Sequence, residues 1–268
     1  MGLDIYAGPV SRYVGGGWST IIEQAGAASG MPVVTIRPGE SLGDVLDRAL
    51  SQRDGQGHGP IEINVGSVGS FGSPPPQPIE GWKAAIMRQL GINEEWDDKP
   101  DGEFYTDKPG WEGYGAVILL AAYDEQPALA PGAKVKRLVG TRTVAAVAPG
   151  DFGEAEAFKA ASASPARYPT LLRGAEWCLP VVGGPVLFAA PTPRGKQVTM
   201  GHVDRLLDEL MALNQRTLKL SPVDMEAARQ AGPSDPGSLE GMASFGLSVV
   251  MPTAEFAAAY RVAWIMDY

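Results

Sequence analysis

The chain has one cysteine, Cys178, in 268 residues. An internal disulfide is therefore excluded, and the neighbouring Trp177 and Leu179 suggest a buried thiol. A lone reduced cysteine points to a reducing, cytoplasmic setting. There are only two histidines, His58 and His202, so a Cys/His-rich zinc site is excluded too. Positive charge is in short supply: 22 Lys and Arg stand against 31 Asp and Glu, for a net charge of −9. No basic footprint for nucleic acid is present, and an anionic membrane would repel the chain. The N-terminus MGLDIYAGPV has neither a basic stretch nor an apolar core, so no signal peptide is expected. Position 6 is Tyr6, which breaks the myristoylation pattern. The longest apolar runs, near 116–123 and 181–190, fall short of the roughly 20 residues of a membrane helix.

Glycine and proline are abundant, at 34 and 23 residues, so loops are many or long. Hydrophobic residues make up 44%, enough for a core without staples. Short strands are expected at 3–7, 32–36, 61–65, 116–123, 245–251 and 262–266. Helices are expected at 18–29, 41–52, 80–90, 152–161, 203–213, from Ser221-Pro222 onward, and at 252–259. Residues 178–182 and 186–190 flank Gly183-Gly184 as a hairpin would. The irregular order of strands and helices predicts an α+β class: a single mixed domain over 1–268, mostly antiparallel or mixed, with flanking helices and long loops. Two lobes could meet near 125–135.

Several patterns imitate known chemistry. Gly39-Glu40-Ser41-Leu42-Gly43 matches a nucleophile elbow and resembles the Gly-Asp-Ser-Leu block of SGNH hydrolases. Ser41 and Asp44 also form S-x-x-D, a capping box, and Thr199 replaces the acid expected three residues before His202. Capping is therefore the favoured role of Ser41. The same stretch resembles half of a LysM carbohydrate-binding module, whose second half is not found. His202 opens a helix, and His58 sits in a Gly-rich loop. The run from Asp97 to Glu103 fails as an EF-hand, because Lys99 and Lys108 occupy the third and twelfth positions. Gly66, Gly69 and Gly72 have the wrong spacing for a dinucleotide fingerprint, and Gln197 after Gly195-Lys196 breaks a P-loop. Gly15, Gly16 and Gly17 could cradle a phosphate, or simply turn the chain. No cofactor and no metal are expected.

Residues 94–125 stand out. They hold ten acids against Lys99 and Lys108, so eight of the nine net negative charges lie there. They also hold six of the 21 aromatic residues. Aromatic anchors inside an acidic rim would suit a protein partner, and the carboxylates would favour a cationic one. Trp96, Asp97, Asp98, Asp101, Tyr105, Asp107, Trp111, Glu112 and Tyr114 are the candidate contact residues. The bland alternative is a solvated loop whose aromatics hold it to the core. A second candidate site is enzymatic. Asp4, Tyr6, Arg12 and Tyr13, near the end of the first strand, could act on a small polar or phosphorylated ligand.

MGLDIYAGPVSRY with Trp18 resembles the opening of a set of bacterial proteins to which no activity is attached. The resemblance continues in Trp177-Cys178-Leu179-Pro180, in Leu213-Asn214-Gln215-Arg216-Thr217 and in the closing FGLSVVM and WIMDY. Some small acidic bacterial families of this kind are immunity proteins for secreted toxins. By that analogy the expected role is a partner-binding protein that neutralises a toxin by occlusion.

Overall fold

The structure is a computed structural model. It describes residues 2–29, 33–35, 43, 62–64, 78–93, 96–136, 141–233 and 238–268. Ser41, His58, the predicted helix 41–52 apart from Gly43, and the Gly66–Gly72 run lie outside these residues.

The first strand, β1 (Asp4–Gly8), alternates as DIYAG. Ile5 and Ala7 face one side, and Tyr6 faces the other. Both sides are buried, so β1 is a central strand. It pairs antiparallel with β4 (Tyr105–Asp107) and with β10 (Ala263–Asp267). β10 pairs antiparallel with β7 (Trp177–Leu179), which runs parallel to β9 (Gln197–His202). β8 (Phe188–Pro191) closes the far edge, antiparallel to β9. The mixed sheet thus has the order β4-β1-β10-β7-β9-β8. Two small ribbons stand apart: parallel β2 (Val33–Thr35) with β3 (Glu62–Asn64), and antiparallel β5 (Lys134–Lys136) with β6 (Thr141–Thr143). The α+β class holds, with helices on both faces of one mixed sheet.

One face carries α4 (Gly110–Glu125), α7 (Val203–Arg216) and α9 (Leu239–Tyr260) over Ile5, Cys178 and Trp264. The other carries α1 (Val10–Val14) and α3 (Ile79–Leu90) over Tyr6, Trp177 and Ile265. Between β1 and the first ribbon lies α2 (Ile21–Ala28), started by a capping box of Thr20 and Glu23. On the first side, α5 (Glu156–Ala163) and the single turn α6 (Pro169–Leu172) pack against α4, and α8 (Pro222–Ala231) lies against α9. α7 follows its amphipathic pattern, burying Val203, Leu206, Leu210 and Leu213. Ser221 and Pro222 start α8 as expected, through a second capping box with Asp224. Gly91 ends α3 in the left-handed conformation at φ 67°.

Three expectations are corrected. The apolar run 116–123 is helical, not a strand. It lies inside α4, where it is buried on nearly every side, so no polar face marked its period. Residues 245–251 and 252–259 are not strand then helix but one helix, α9, with Pro252 inside it. The 178–190 hairpin is absent: β7 and β8 are not neighbours, because β9 lies between them. Helix α9 also revises the membrane expectation. It is long and apolar enough to cross a bilayer by length and composition, but 61% of its most apolar window is buried inside the protein. It packs as a core helix against α4 and α7.

Candidate functional site

Asp4 and Asp267 are cross-strand partners at one end of the β1–β10 pair. Side chains so paired lie on one face. The Tyr13 hydroxyl donates to Asp267 Oδ1 at 2.7 Å. Lys108 Nζ reaches Asp4 Oδ2 at 3.3 Å, while Asp4 Oδ1 is buried with no hydrogen-bond partner among the described residues. Burial pushes the Asp4 carboxyl up to about 6; Lys108 pulls it down, and the nearby Asp267 and Glu23 add to the rise. Burial likewise drives the Tyr13 hydroxyl well above its ordinary value, with Asp267 adding to it.

The four residues of the enzymatic alternative are thus neighbours, but only Asp4 keeps an uncommitted oxygen. The Tyr6 hydroxyl donates to Pro9 O at 2.9 Å. Arg12 donates to Gly17 O and, at 2.7 Å, to Gly102 O, and its guanidinium lies 4.2 Å from the centre of the Phe104 ring. Tyr6 itself sits among the rings of Tyr13, Trp18 and Phe104 at centroid distances of 5.2, 5.1 and 6.0 Å. Asp267 and Glu23 lie near Asp4 together with Lys108, and Arg194 lies near Tyr13, so the neighbourhood carries charge of both signs. The glycine run is no phosphate cradle. The N–H groups of Gly15, Gly16 and Gly17 donate to the carbonyls of Ser11, Tyr13 and Arg12.

The nine candidates in 94–125 do not form one face. Trp96 is 2% exposed and belongs to the core around Tyr6 and Trp177, edge-on to Trp82 at 6.1 Å. Tyr114 is 4% exposed and belongs to the core on the opposite side of the sheet. Trp111 is half-buried against Tyr268, with ring centres 5.2 Å apart. Tyr105 packs on Phe256, and Asp107 is buried in an ion pair with Arg229 at 2.8 Å. Asp98 accepts from the N–H groups of Val10 and Ser11 at 2.6 and 2.9 Å, completing the N-terminus of α1. The picture of aromatic anchors within an acidic rim is therefore corrected: the rings hold the segment to two cores. Asp97, Asp101 and Glu112 remain exposed, as does Glu103.

His202 is the last residue of β9, and α7 begins immediately after it. It is buried, with Nδ1 2.9 Å from Val181 O and Nε2 2.7 Å from Pro185 O. It fastens the 181–185 loop beside a cavity of about 290 Å³ that Asp204, Arg205 and Asp208 also line. Cys178 is buried, and burial pushes its thiol up, with Glu209 contributing. Glu209, which sequence reasoning passed over, is buried in α7 and accepts from the N–H groups of Thr170 and Leu171 at 2.9 and 3.0 Å. Burial lifts its carboxyl to about 7 against the pull of those donors. Glu125 was missed in the same way. It accepts from the successive N–H groups of Ala166, Arg167 and Tyr168. Only the folded chain brings these donors to it, so spacing held no signal.

Among the described residues no group of three or more His, Cys, Asp or Glu side chains is placed to hold a metal ion. No protein-family model matches the chain. No curated protein matches it, and no solved structure does.

Proposed function

We propose that this chain acts by binding a cationic protein partner through the loop that joins Trp96 to Phe104. The observation carrying this reading is how that loop is held. Trp96 is sunk in the core, Asp98 grips the start of α1, Arg12 bonds Gly102 O, and Phe104 packs on Tyr6. Between these anchors Asp97, Asp101 and Glu103 point to solvent. Among the described residues Asp97 pairs with Lys99 of the same loop, at 2.8 Å. A fixed loop loses little conformational freedom on association, and its carboxylates would steer a basic surface toward it. A protein that neutralises a toxin by covering a basic active site would need such an element.

The test is kinetic. The tagged chain recovers its partner from the source cells, and association is measured at low and high salt. Neutralising Asp97, Asp101 and Glu103 together should slow association about tenfold at low salt and little at high salt. Equal association rates for the two chains at low salt would reject the reading. Asp98 stays out of the set because it serves α1.

The uncommitted Asp4 oxygen favours a second reading, a proton-handling site built from Asp4, Asp267 and Tyr13 for a neutral or cationic polar ligand. Loss of a pH-dependent activity in Asp4→Asn, with partner binding intact, would separate it from the first.

A further inference from the structure

A cavity of about 430 Å³ opens beside α4, away from the acidic loop. Its wall is largely apolar and ring-rich: Tyr114 and Ile118 from α4, Phe152 from the 149–154 arm that crosses α4, Phe158 from α5, and Leu172. Phe152 stands edge-on to both Tyr114 and Phe158, at centroid distances of 6.5 and 5.3 Å. The volume is that of a site for a small organic molecule. Two polar side chains interrupt the wall, Ser162 and Arg173. At the rim the exposed Arg173 has no ion pair or side-chain hydrogen bond among the described residues.

Glycine shapes the cavity. Gly115 lies under the 149–154 arm, and a Cβ there would stand 2.0 Å from Pro149 O. The arm can therefore settle onto α4 and bring Phe152 to the wall. On the other flank, Glu209 fixes the turn of α6 through two backbone N–H groups, and so places Leu172 and Arg173. Neither flank is a mobile surface loop in contact with nothing.

We propose that this cavity binds a small monocarboxylate with an apolar body. The body would lie among Tyr114, Phe152 and Phe158, where aromatic edges and faces favour a ring or a short alkyl chain. The carboxylate would remain at the rim with Arg173, whose planar guanidinium can take both oxygens. A neutral apolar molecule would forgo the Arg173 contact, and a cation would be repelled by it. This inference is independent of the docking loop and survives if that reading fails.

The test uses 3-phenylpropionate and octanoate as probes and 3-phenylpropylamine as the cationic control. Binding is followed by amide chemical shifts, with Ser162 and Gly174 at the cavity as local reporters. Saturable binding of at least one acid, with shifts at those reporters and none from the amine, is the expected result. Arg173→Gln should weaken it about tenfold, the loss of one charge-assisted contact. Ala163→Trp, made from an exposed position in the wall, should fill the mouth and abolish binding with the fold intact. The inference is overturned if neither acid binds at millimolar concentration, if the amine binds equally well, or if Ala163→Trp binds the acids unchanged.

Discussion

Gly113 and Gly246 lie in such contact that a methyl group on Gly246 would stand 2.1 Å from the Gly113 carbonyl oxygen. The obstacle is backbone, so no side chain can swing aside. This is where α4 and α9 cross. Gly246→Ala should therefore destabilise the chain by about 3 kcal/mol or prevent folding, as overpacked cores do. Gly81→Ala is the control. It lies exposed in α3 with nothing within 4 Å of its Cβ position, and should stabilise by about 0.5–1 kcal/mol. Urea denaturation of both variants checks the pair. Equal shifts would show that the crossing is looser than described.

Stability should fall as pH rises through weakly acidic values. The folded-state carboxyls of Glu209 and Asp4 are raised to about 7 and about 6, from 4.5 and 3.8. The folded chain thus holds these protons more tightly than the unfolded one. Their contribution is full below the unfolded values and is lost as pH climbs to about 7. The urea midpoint should be higher at pH 5 than at pH 8, and Glu209→Gln should flatten the slope. A midpoint that rises from pH 5 to pH 8 in the parent chain would refute this.

Glu125 should matter more than a half-exposed glutamate ordinarily does. It satisfies three consecutive backbone donors, and its neighbour Asp124 takes Arg216 Nε and the Tyr168 hydroxyl at 2.7 and 2.9 Å. Glu125→Ala should cost about 2 kcal/mol, and hydrogen exchange should rise first at Ala166, Arg167 and Tyr168. Unchanged protection at those amides would mean that water replaces the carboxylate without loss.

The acidic loop should divide by role. Asp98→Ala removes the acceptor of two α1 donors and should lower stability by about 1 kcal/mol. Asp97→Asn and Asp101→Asn should leave the unfolding midpoint within experimental scatter, because both side chains stand in solvent. Differential scanning calorimetry on the three variants distinguishes them.

Cys178 should be inert while the chain is folded. Burial raises its thiol well above the ordinary value and closes it to reagents. Iodoacetamide labelling should proceed only as fast as the chain opens, and should become rapid in urea. Labelling within minutes by a folded sample would contradict the burial.

What could be read from the sequence follows from where local pattern and tertiary setting agree. β1 and α7 alternate or repeat as their environments require, and the Ser221-Pro222 start of α8 is written in three residues. The class of fold was accessible for that reason. α4 and α9 were not. Both are buried on most sides, so their apolar runs carry no period, and Val249-Val250 before Pro252 imitates a strand end. β9 was hidden by Gly201 and by its polar start, Gln197, and with it the parallel pairing that displaces the 178–190 hairpin. The acids and rings of 94–125 were visible as a composition. Their separation was not, because Trp96 and Tyr114 go to opposite sides of a sheet that composition cannot show. Asp4, Tyr6 and Tyr13 do come together, since they share one strand and the short helix α1 that follows it. Asp267 reaches them only through pairing with a strand 254 residues beyond Tyr13.

That pairing sets a timetable for synthesis. β10 occupies the slot between β1 and β7, yet it leaves the ribosome after both. At roughly 5–20 residues per second, the 254 residues between Tyr13 and Asp267 take about 13–50 s to make. Throughout that interval one edge of β1 lacks its neighbour, and once β7 has been made one of its edges lacks the same strand. The nascent chain therefore carries a gap at the centre of its sheet rather than at its rim. Any factor that shields apolar edges during translation would find its target there, and release would coincide with arrival of the last strand.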